Sequence, residues 1–137
     1  MNYKNILEFI TQNPVCTIST SMDDKPSVRA FLTNIIDDKI YFTTSLDKNV
    51  GKEISNNQNS ELCYLTSDFS QMLRIKTTLD ILDNKVIKQY LIDTKDYLKH
   101  FKVDDPSFIL FTLSNCEARF WSLQDNLKED KLEVIKF

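Results

Sequence analysis

Short apolar segments separated by short polar turns constrain the fold of this chain more than any other feature. Strand patterns cover residues 15–21, 27–36, 39–44, 61–66 and 72–82. A final pattern over residues 108–123 predicts one long strand, or two short ones broken near Asn115. Turns this short favour antiparallel pairing, because parallel neighbours need a crossover of about a dozen residues or more. The sequence therefore predicts a mainly β protein.

Three helical patterns accompany these strands, over residues 3–12, 47–57 and 84–98. Asn13-Pro14 ends the first helix, because proline disfavours helical geometry in the residue before it. The order of elements predicts a β-barrel with helices packed outside it. No repeat, low-complexity tract or linker divides the chain, so we expect one domain over residues 1–137. Its core would span residues 3–123, and a tail over residues 124–137 would end in a small added strand.

Composition excludes several classes of function. The 137 residues are 42% hydrophobic and 27% charged, which is typical of one globular domain. A net charge of -3 gives no general attraction to nucleic acid or to anionic membranes. No apolar run approaches the roughly 20 residues that span a bilayer, and the N-terminus lacks a signal-peptide pattern. We expect a cytoplasmic protein without nucleic-acid or membrane partners.

Cysteine, histidine and glycine are scarce. Three separated cysteines and one histidine, His100, make a metal site improbable, and the odd cysteine count suggests reduced thiols. The single glycine, Gly51, excludes glycine-rich phosphate loops. Any phosphate must therefore be held by side chains and ordinary backbone amides.

An arginine interrupts the second predicted strand. Strand alternation places Arg29 and Phe31 on one face, and Ala30 on the other. A buried lone charge is costly, so Arg29 needs a partner. That partner is either an anionic ligand or an acidic side chain, unless Arg29 lies at an exposed edge.

Hydroxyl side chains end the third predicted strand at Thr43, Thr44 and Ser45. Such hydroxyls either donate to a ligand or cap the helix that follows. As the helix N-cap, the sequence favours Ser45 or Asp47.

Two lysines, Lys48 and Lys52, lie one turn apart at the start of the second predicted helix. The helix dipole disfavours cations there, and local rule-breaking is more frequent at functional sites. An anion bound to both lysines and to free helix-start amides explains the pattern. The alternative is a solvated lysine pair partly offset by Glu53. Together with the arginine and the hydroxyls, the lysines predict a phosphate site.

At these residues the chain resembles the flavin-binding split-barrel family that includes pyridoxamine 5'-phosphate oxidase. The resemblance covers about residues 3 to 123 and rests on the order of several short motifs. These motifs are a first helix ending in QNP, then KPSVRAF, IYFTT, the lysine-bearing KNVGKEI, an Asn-rich turn into a strand, and the aromatic pair Phe120-Trp121.

The resemblance implies a six-stranded antiparallel split barrel that forms a homodimer, with two FMN molecules in clefts at the subunit interface. Strand backbone over residues 28–31 and 41–43 would line the flavin ring. The implied cofactor-binding residues are Arg29, Ala30, Phe31, Thr43, Thr44, Ser45, Lys48, Asn49, Lys52 and Trp121. Trp121 would approach the ring from the partner subunit; the alternative for it is a place in the core of the barrel or of the dimer.

The resemblance also implies a function, a small FMN-dependent oxidoreductase acting on a small-molecule substrate. The oxidase itself carries a C-terminal segment with arginine and histidine for its pyridoxal phosphate substrate, whereas this chain ends in LKEDKLEVIKF. No residue stands out as a catalytic acid or base. Two alternatives stay open. The first is a non-catalytic member of the family, either a flavin-binding or sensing module or a split-barrel dimer that has lost its cofactor. The second is a β-barrel interaction protein whose cations form surface ion pairs.

Overall fold

One antiparallel sheet contains every strand of the protein. The computed structural model describes all residues, Met1–Phe137. The elements are α1 Tyr3–Gln12, β1 Val15–Met22, β2 Lys25–Leu32, β3 Asn34–Ile36, β4 Lys39–Ser45, α2 Asn49–Asn56, β5 Asn59–Leu65, β6 Gln71–Leu82, α3 Lys85–Thr94, β7 Phe108–Ser122 and β8 Ile135–Lys136. Three short 3-10 helices lie at Asp96–Leu98, Leu123–Asp125 and Glu129–Lys131.

The sheet curls into the split barrel that the resemblance implied. Its strand order is β2-β1-β5-β6-β7-β4-β3, and β8 pairs with β7. β2 and β3 therefore form the two ends of the sheet. No helix has the length and apolar character needed to cross a membrane.

The strand count differs from the expected six, because the sheet has eight strands. The segment predicted as one strand over residues 27–36 divides at Thr33 into β2 and β3. The Thr33 amide still donates to the Pro14 carbonyl beside β1 (2.9 Å), whereas Asn34 already pairs with Tyr41 of β4. The tail adds β8. The predicted segment over residues 108–123 is one long strand, which passes through Asn115 with a positive φ of 51°.

Aspartate pairs make the tight turns between β1 and β2 and between β3 and β4. Asp23 and Asp24 have φ of 52° and 62° between β1 and β2, and Asp37 and Asp38 have φ of 50° and 60° between β3 and β4. Aspartate tolerates this left-handed region better than most residues, and two consecutive such residues match the twist of a β-hairpin. The polar turns predicted at these positions are confirmed.

Helix boundaries agree with the sequence for α1 and differ for α2 and α3. α2 is shorter than predicted, and its N-cap is Lys48, which makes no side-chain capping bond. The prediction of Ser45 or Asp47 as N-cap is wrong, because the Ser45 hydroxyl accepts from the Asp47 amide in the turn before the helix (3.1 Å). The third predicted helix ends at Thr94, and the 3-10 helix at Asp96–Leu98 follows after the extended residue Lys95.

The core lies on both faces of β4. Phe42 belongs to the main core inside the barrel, which α1 and α2 cover, whereas Tyr41 belongs to a second core beneath α3. Successive side chains of a strand point to opposite faces, so burial on both sides fixes the position of β4. The residues that follow, at the end of β4, are consequently held in place.

Two of the three cysteines are core residues. Burial raises the pKa of the Cys16 thiol to about 11, and it also raises the pKa of Cys116 above its ordinary value. Both thiols are therefore protonated and unreactive near neutral pH. Cys63 lies in an apolar strand pattern that predicts a core position, but it is half-buried.

The single glycine sets the approach of α2 to β4. A Cβ atom at Gly51 would lie 2.3 Å from the main-chain oxygen of Ser45, a distance that real Cβ atoms do not adopt. Only glycine permits this contact without a shift of backbone. Gly51 thereby holds the start of α2 against the end of β4.

We predict that Gly51→Ala destabilises the protein by about 1–3 kcal/mol, because the added methyl group must push α2 away from β4. The better helix propensity of alanine offsets only part of this loss, about 1 kcal/mol. Thermal unfolding measures the effect, with the exposed Asn56→Ala in the same helix as the control. A Gly51→Ala protein as stable as the control would contradict the packing described.

Candidate functional site

The barrel is split where β2 and β4 separate. Thr33 marks the branch point, where its buried side chain shares a hydrogen bond with the Tyr64 hydroxyl (2.9 Å). β3 pairs with β4 only as far as Tyr41. Before Thr33 the chain follows β1 instead, so Leu32 and Thr43 face each other across a gap.

Unpaired main-chain groups line both sides of this gap. The Thr33 amide bonds toward β1, so strand alternation turns the amides of Leu32 and Ala30 toward the free edge of β2. On the other side, the Leu46 amide donates to the Ser107 carbonyl next to β7 (2.8 Å), so alternation turns the main chain of Thr43 into the gap. We call this gap the β2–β4 cleft.

Most of the predicted cofactor-binding residues meet in the β2–β4 cleft. It holds a cavity of about 270 Å³. The predicted residues that line the cavity are Arg29, Ala30, Phe31, Thr43, Thr44 and Lys48. Ser45 lines an adjoining cavity of about 170 Å³, which shares Thr43, Thr44 and Lys48 with the first. The structure thus brings these residues together at one place.

Three predicted residues lie outside these two cavities. Asn49 and Lys52 are exposed on α2 and line neither of them. Trp121 lines a separate cavity of about 460 Å³, together with Phe9 and Phe120. Within one subunit Trp121 is therefore not part of the β2–β4 cleft. Their roles in binding stay predictions.

The start of α2 presents free hydrogen-bond donors. No acidic residue lies in its first turn, and Lys48 provides no side-chain cap. The amides of Gly51 and Lys52 donate to the Lys48 carbonyl, but no hydrogen bond uses the amides of Asn49 or Val50. Such a helix start, with a lysine beside it, favours an anion.

Thr44 carries the clearest sign of a ligand. Its side chain is only 6% exposed, and its Oγ1 atom is buried without a hydrogen-bond partner. Other buried threonine hydroxyls are bonded, as Thr20 is to Glu53 (2.7 Å) and Thr77 is to the Ser114 carbonyl (2.9 Å). The only other such atom is Asn34 Oδ1. Because buried polar groups are nearly always paired, the Thr44 hydroxyl fits an oxygen of a bound group.

Arg29 already has an acidic partner. Its Nη1 donates to Glu53 Oε2 (2.8 Å), its Nη2 to Oε1 (3.4 Å), and Thr20 donates to the same carboxylate. The hydrogen bonds from Arg29, and to a smaller extent the one from Thr20, hold the pKa of Glu53 below its ordinary value. Glu53 is therefore charged at neutral pH. This is the ion pair that the alternative interpretation of Arg29 expected. Arg29 nevertheless also lines the cavity.

Sequence reasoning missed Tyr97, which lines both cavities from the 3-10 helix after α3. Its partial burial raises the pKa of its hydroxyl above the ordinary value. No local pattern marks this tyrosine, because only the packing of the α3–β7 connection beside β4 brings it to the cleft. Leu32 and Val50 complete the lining.

The lining offers binding groups, and it lacks the two side-chain types that most often serve in acid–base chemistry. The side chains around the main cavity offer cations, hydroxyls and aromatic or aliphatic surfaces, without a carboxylate or histidine. His100 lines only the adjoining cavity, where its ring lies against Phe101. The site can hold an anionic end at Thr44 and Lys48, and a flat polar group along the free strand edges.

Comparison with protein families shows which family the chain matches. Residues 3–122 match the model of the family described as pyridoxamine 5'-phosphate oxidase. None of the curated proteins compared with the chain matches it.

Several solved structures share the fold. A NimC/NimA family protein from Clostridium acetobutylicum is 23% identical, with a TM-score of 0.80, over 98% of this chain and 93% of that chain. General Stress Protein 26 from Bacillus anthracis is 17% identical, with a TM-score of 0.75, over 98% of both chains. The general stress FMN/FAD binding protein from Xanthomonas citri is 14% identical, with a TM-score of 0.69, over 88% of this chain and 87% of that one.

We predict that Thr44→Val stabilises the ligand-free protein by about 1 kcal/mol, because it removes a buried hydroxyl that has no partner. Thr33→Val is the matched control, since it leaves the buried Tyr64 hydroxyl without its bond to Thr33 and should cost about 1–3 kcal/mol. Chemical denaturation of the two variants measures both changes. Equal destabilisation of both would show that the Thr44 hydroxyl is satisfied within the protein.

Proposed function

The chain belongs to the pyridoxamine 5'-phosphate oxidase family, and we propose that it is a flavoprotein that binds FMN in the β2–β4 cleft and acts as an oxidoreductase on a small molecule. One observation carries the proposal: the buried hydroxyl of Thr44 has no partner, yet it lies beside Lys48 in a cavity. The Xanthomonas citri protein of the same fold is an FMN/FAD binding protein, which supports a flavin.

The phosphate of FMN fits the donors at the end of β4. A phosphate monoester carries nearly two negative charges near pH 7 and several acceptor oxygens. The donors available to it are the Lys48 ammonium and the free amides of Asn49 and Val50. The Thr44 hydroxyl can also donate. This set needs no glycine-rich loop, in agreement with the single glycine of the chain.

The flavin ring fits the free strand edges. It has polar atoms along one edge and apolar faces, and the unpaired main chain of Ala30, Leu32 and Thr43 can hydrogen-bond to such an edge. Phe31 and Tyr97 add aromatic surface. When bound, FMN would supply the redox chemistry. The protein's own residues would hold the phosphate, orient the ring and keep positive charge nearby.

A second copy of the chain is the expected partner. A row of apolar side chains crosses the outer face of the sheet, and we call it the outer stripe. In register order it comprises Leu32, Val15, Leu65, Met72 and Trp121. Leu32, Val15 and Leu65 are 43%, 57% and 44% exposed. An exposed apolar row of this extent is typical of an interface.

The outer stripe begins at the β2–β4 cleft, because Leu32 belongs to both. A homodimer that buries the stripe would therefore cover the open side of the cleft and bring the partner's residues to the flavin. Trp121 lies at the far end of the stripe, which makes the partner's copy the one that would reach the ring. The cysteines, all free, fit a reducing cytoplasm.

A non-catalytic flavin-binding or sensing module is the second candidate. The observation that favours it is that the lining of the main cavity contains neither a carboxylate nor a histidine. Titration with FMN, followed by flavin fluorescence, tests both candidates, and one bound FMN per chain supports them. Turnover of NADH or NADPH by the loaded protein then separates the enzyme from the module. No binding at high micromolar FMN would reject both.

We predict that Lys48→Ala weakens FMN binding about tenfold, the loss of one charge-assisted phosphate contact of about 1.4 kcal/mol. Riboflavin, which lacks the phosphate, should bind the variant and the wild type alike. Lys4→Ala on α1 removes the same charge elsewhere and should change neither affinity. If FMN bound Lys48→Ala as tightly as the wild type, the phosphate would lie elsewhere.

We predict that Leu65→Glu converts a dimer into a monomer, because it places a charge in the middle of the outer stripe. Sedimentation equilibrium should give twice the 16.1 kDa chain mass for the wild type and the chain mass for the variant. Val86→Glu, at an exposed apolar position on α3, is the control and should stay dimeric. A dimeric Leu65→Glu protein would place the interface on another surface.

A further inference from the structure

Arg29 presents both of its terminal nitrogens to one carboxylate. The contacts from Nη1 and Nη2 reach the two oxygens of Glu53 at 2.8 and 3.4 Å. Thr20, which is 3% exposed, donates to Oε2 of the same group at 2.7 Å. The Glu53 side chain is 13% exposed, compared with 35% for Arg29. Glu53 thus lies deeper than the arginine that it holds.

Glu53 holds Arg29 from outside the cavity. It does not line the cavity, whereas Arg29 does. The other cation of the lining, Lys48, has no acidic partner. Of the two cations that face the cavity, only Lys48 is therefore free to neutralise a ligand.

A carboxylate and a phosphate make the same demand on a guanidinium. Both accept two parallel hydrogen bonds from the planar fork of an arginine. The fork of Arg29 cannot serve both groups with the same pair of N–H bonds. A second anion near Arg29 would also repel the Glu53 carboxylate, in a partly exposed setting where such repulsion is weakened by solvent but not removed.

We propose that Glu53 competes with the phosphate of the flavin for Arg29, and thereby weakens flavin binding in the β2–β4 cleft. Glu53 then lowers the phosphate affinity that Thr44, Lys48 and the start of α2 provide. The inference rests on the proposed function, because it needs flavin phosphate in the β2–β4 cleft. The opposite role, in which Glu53 positions Arg29 for the phosphate, predicts the opposite sign.

Glu53→Gln tests the proposal, because glutamine keeps the size and one acceptor oxygen but removes the charge. The variant should bind FMN about fivefold more tightly, a change of the size measured for partly exposed ion pairs. Its affinity for riboflavin should not change, since riboflavin has no phosphate to compete. A merely structural role of Glu53 would alter both ligands together.

Glu61→Gln is the matched control. Glu61 also pairs with an arginine, Arg74 (2.6 Å), but at another pocket of the protein. It removes the same charge and should leave both affinities unchanged. Should FMN binding tighten equally in this variant, net charge and not competition would be the cause, and the proposal would be overturned.

Thr20→Val provides a second variant in case Glu53→Gln folds poorly. It removes the hydroxyl that fixes Glu53 and should tighten FMN binding in the same direction, by a smaller factor. If the wild type binds FMN but the folded variants bind it more weakly or equally well, the proposed competition is wrong and the proposed function is unaffected. No FMN binding by the wild type or any variant overturns the proposed function with it.

Discussion

The contact between Gly51 and the Ser45 carbonyl determines where the charged groups of the β2–β4 cleft lie. It seats α2 directly on the end of β4, since any side chain at position 51 would collide with backbone. The free amides at the helix start and Lys48 consequently lie beside Thr44. One turn further along α2, Glu53 reaches Arg29 across the sheet. A single close approach thus assembles donors from two strands and one helix.

The strand edges depend on a second constraint, the branch at Thr33. Because the chain pairs with β4 after this residue and with β1 before it, two strand edges face each other without bonding. A closed barrel would satisfy these edges internally. The open edges and the unpartnered Thr44 hydroxyl are costs in the free protein that a bound planar, anionic molecule can offset.

Much of this arrangement could be predicted from sequence, because it follows from local patterns. Strand alternation correctly placed Arg29 and Phe31 on one face of β2 and Ala30 on the other. The short polar turns before β2 and before β4 were also predicted, and a pair of aspartates forms each of them. The helix start close to Lys48 was predicted correctly, although its N-cap was not. Other features depend on contacts between distant segments and left no local signal. They are the lining by Tyr97, the choice of Glu53 as the partner of Arg29, and the separate cavity at Trp121.

The central claim is that the β2–β4 cleft holds a flavin by its phosphate, and a crystal structure grown with FMN tests it most directly. The account predicts phosphate oxygens within hydrogen-bond distance of Thr44 Oγ1 and the Lys48 ammonium at the start of α2, with the ring along the free edge of β2. FMN bound elsewhere, for example in the cavity beside Phe9 and Phe120, would contradict it.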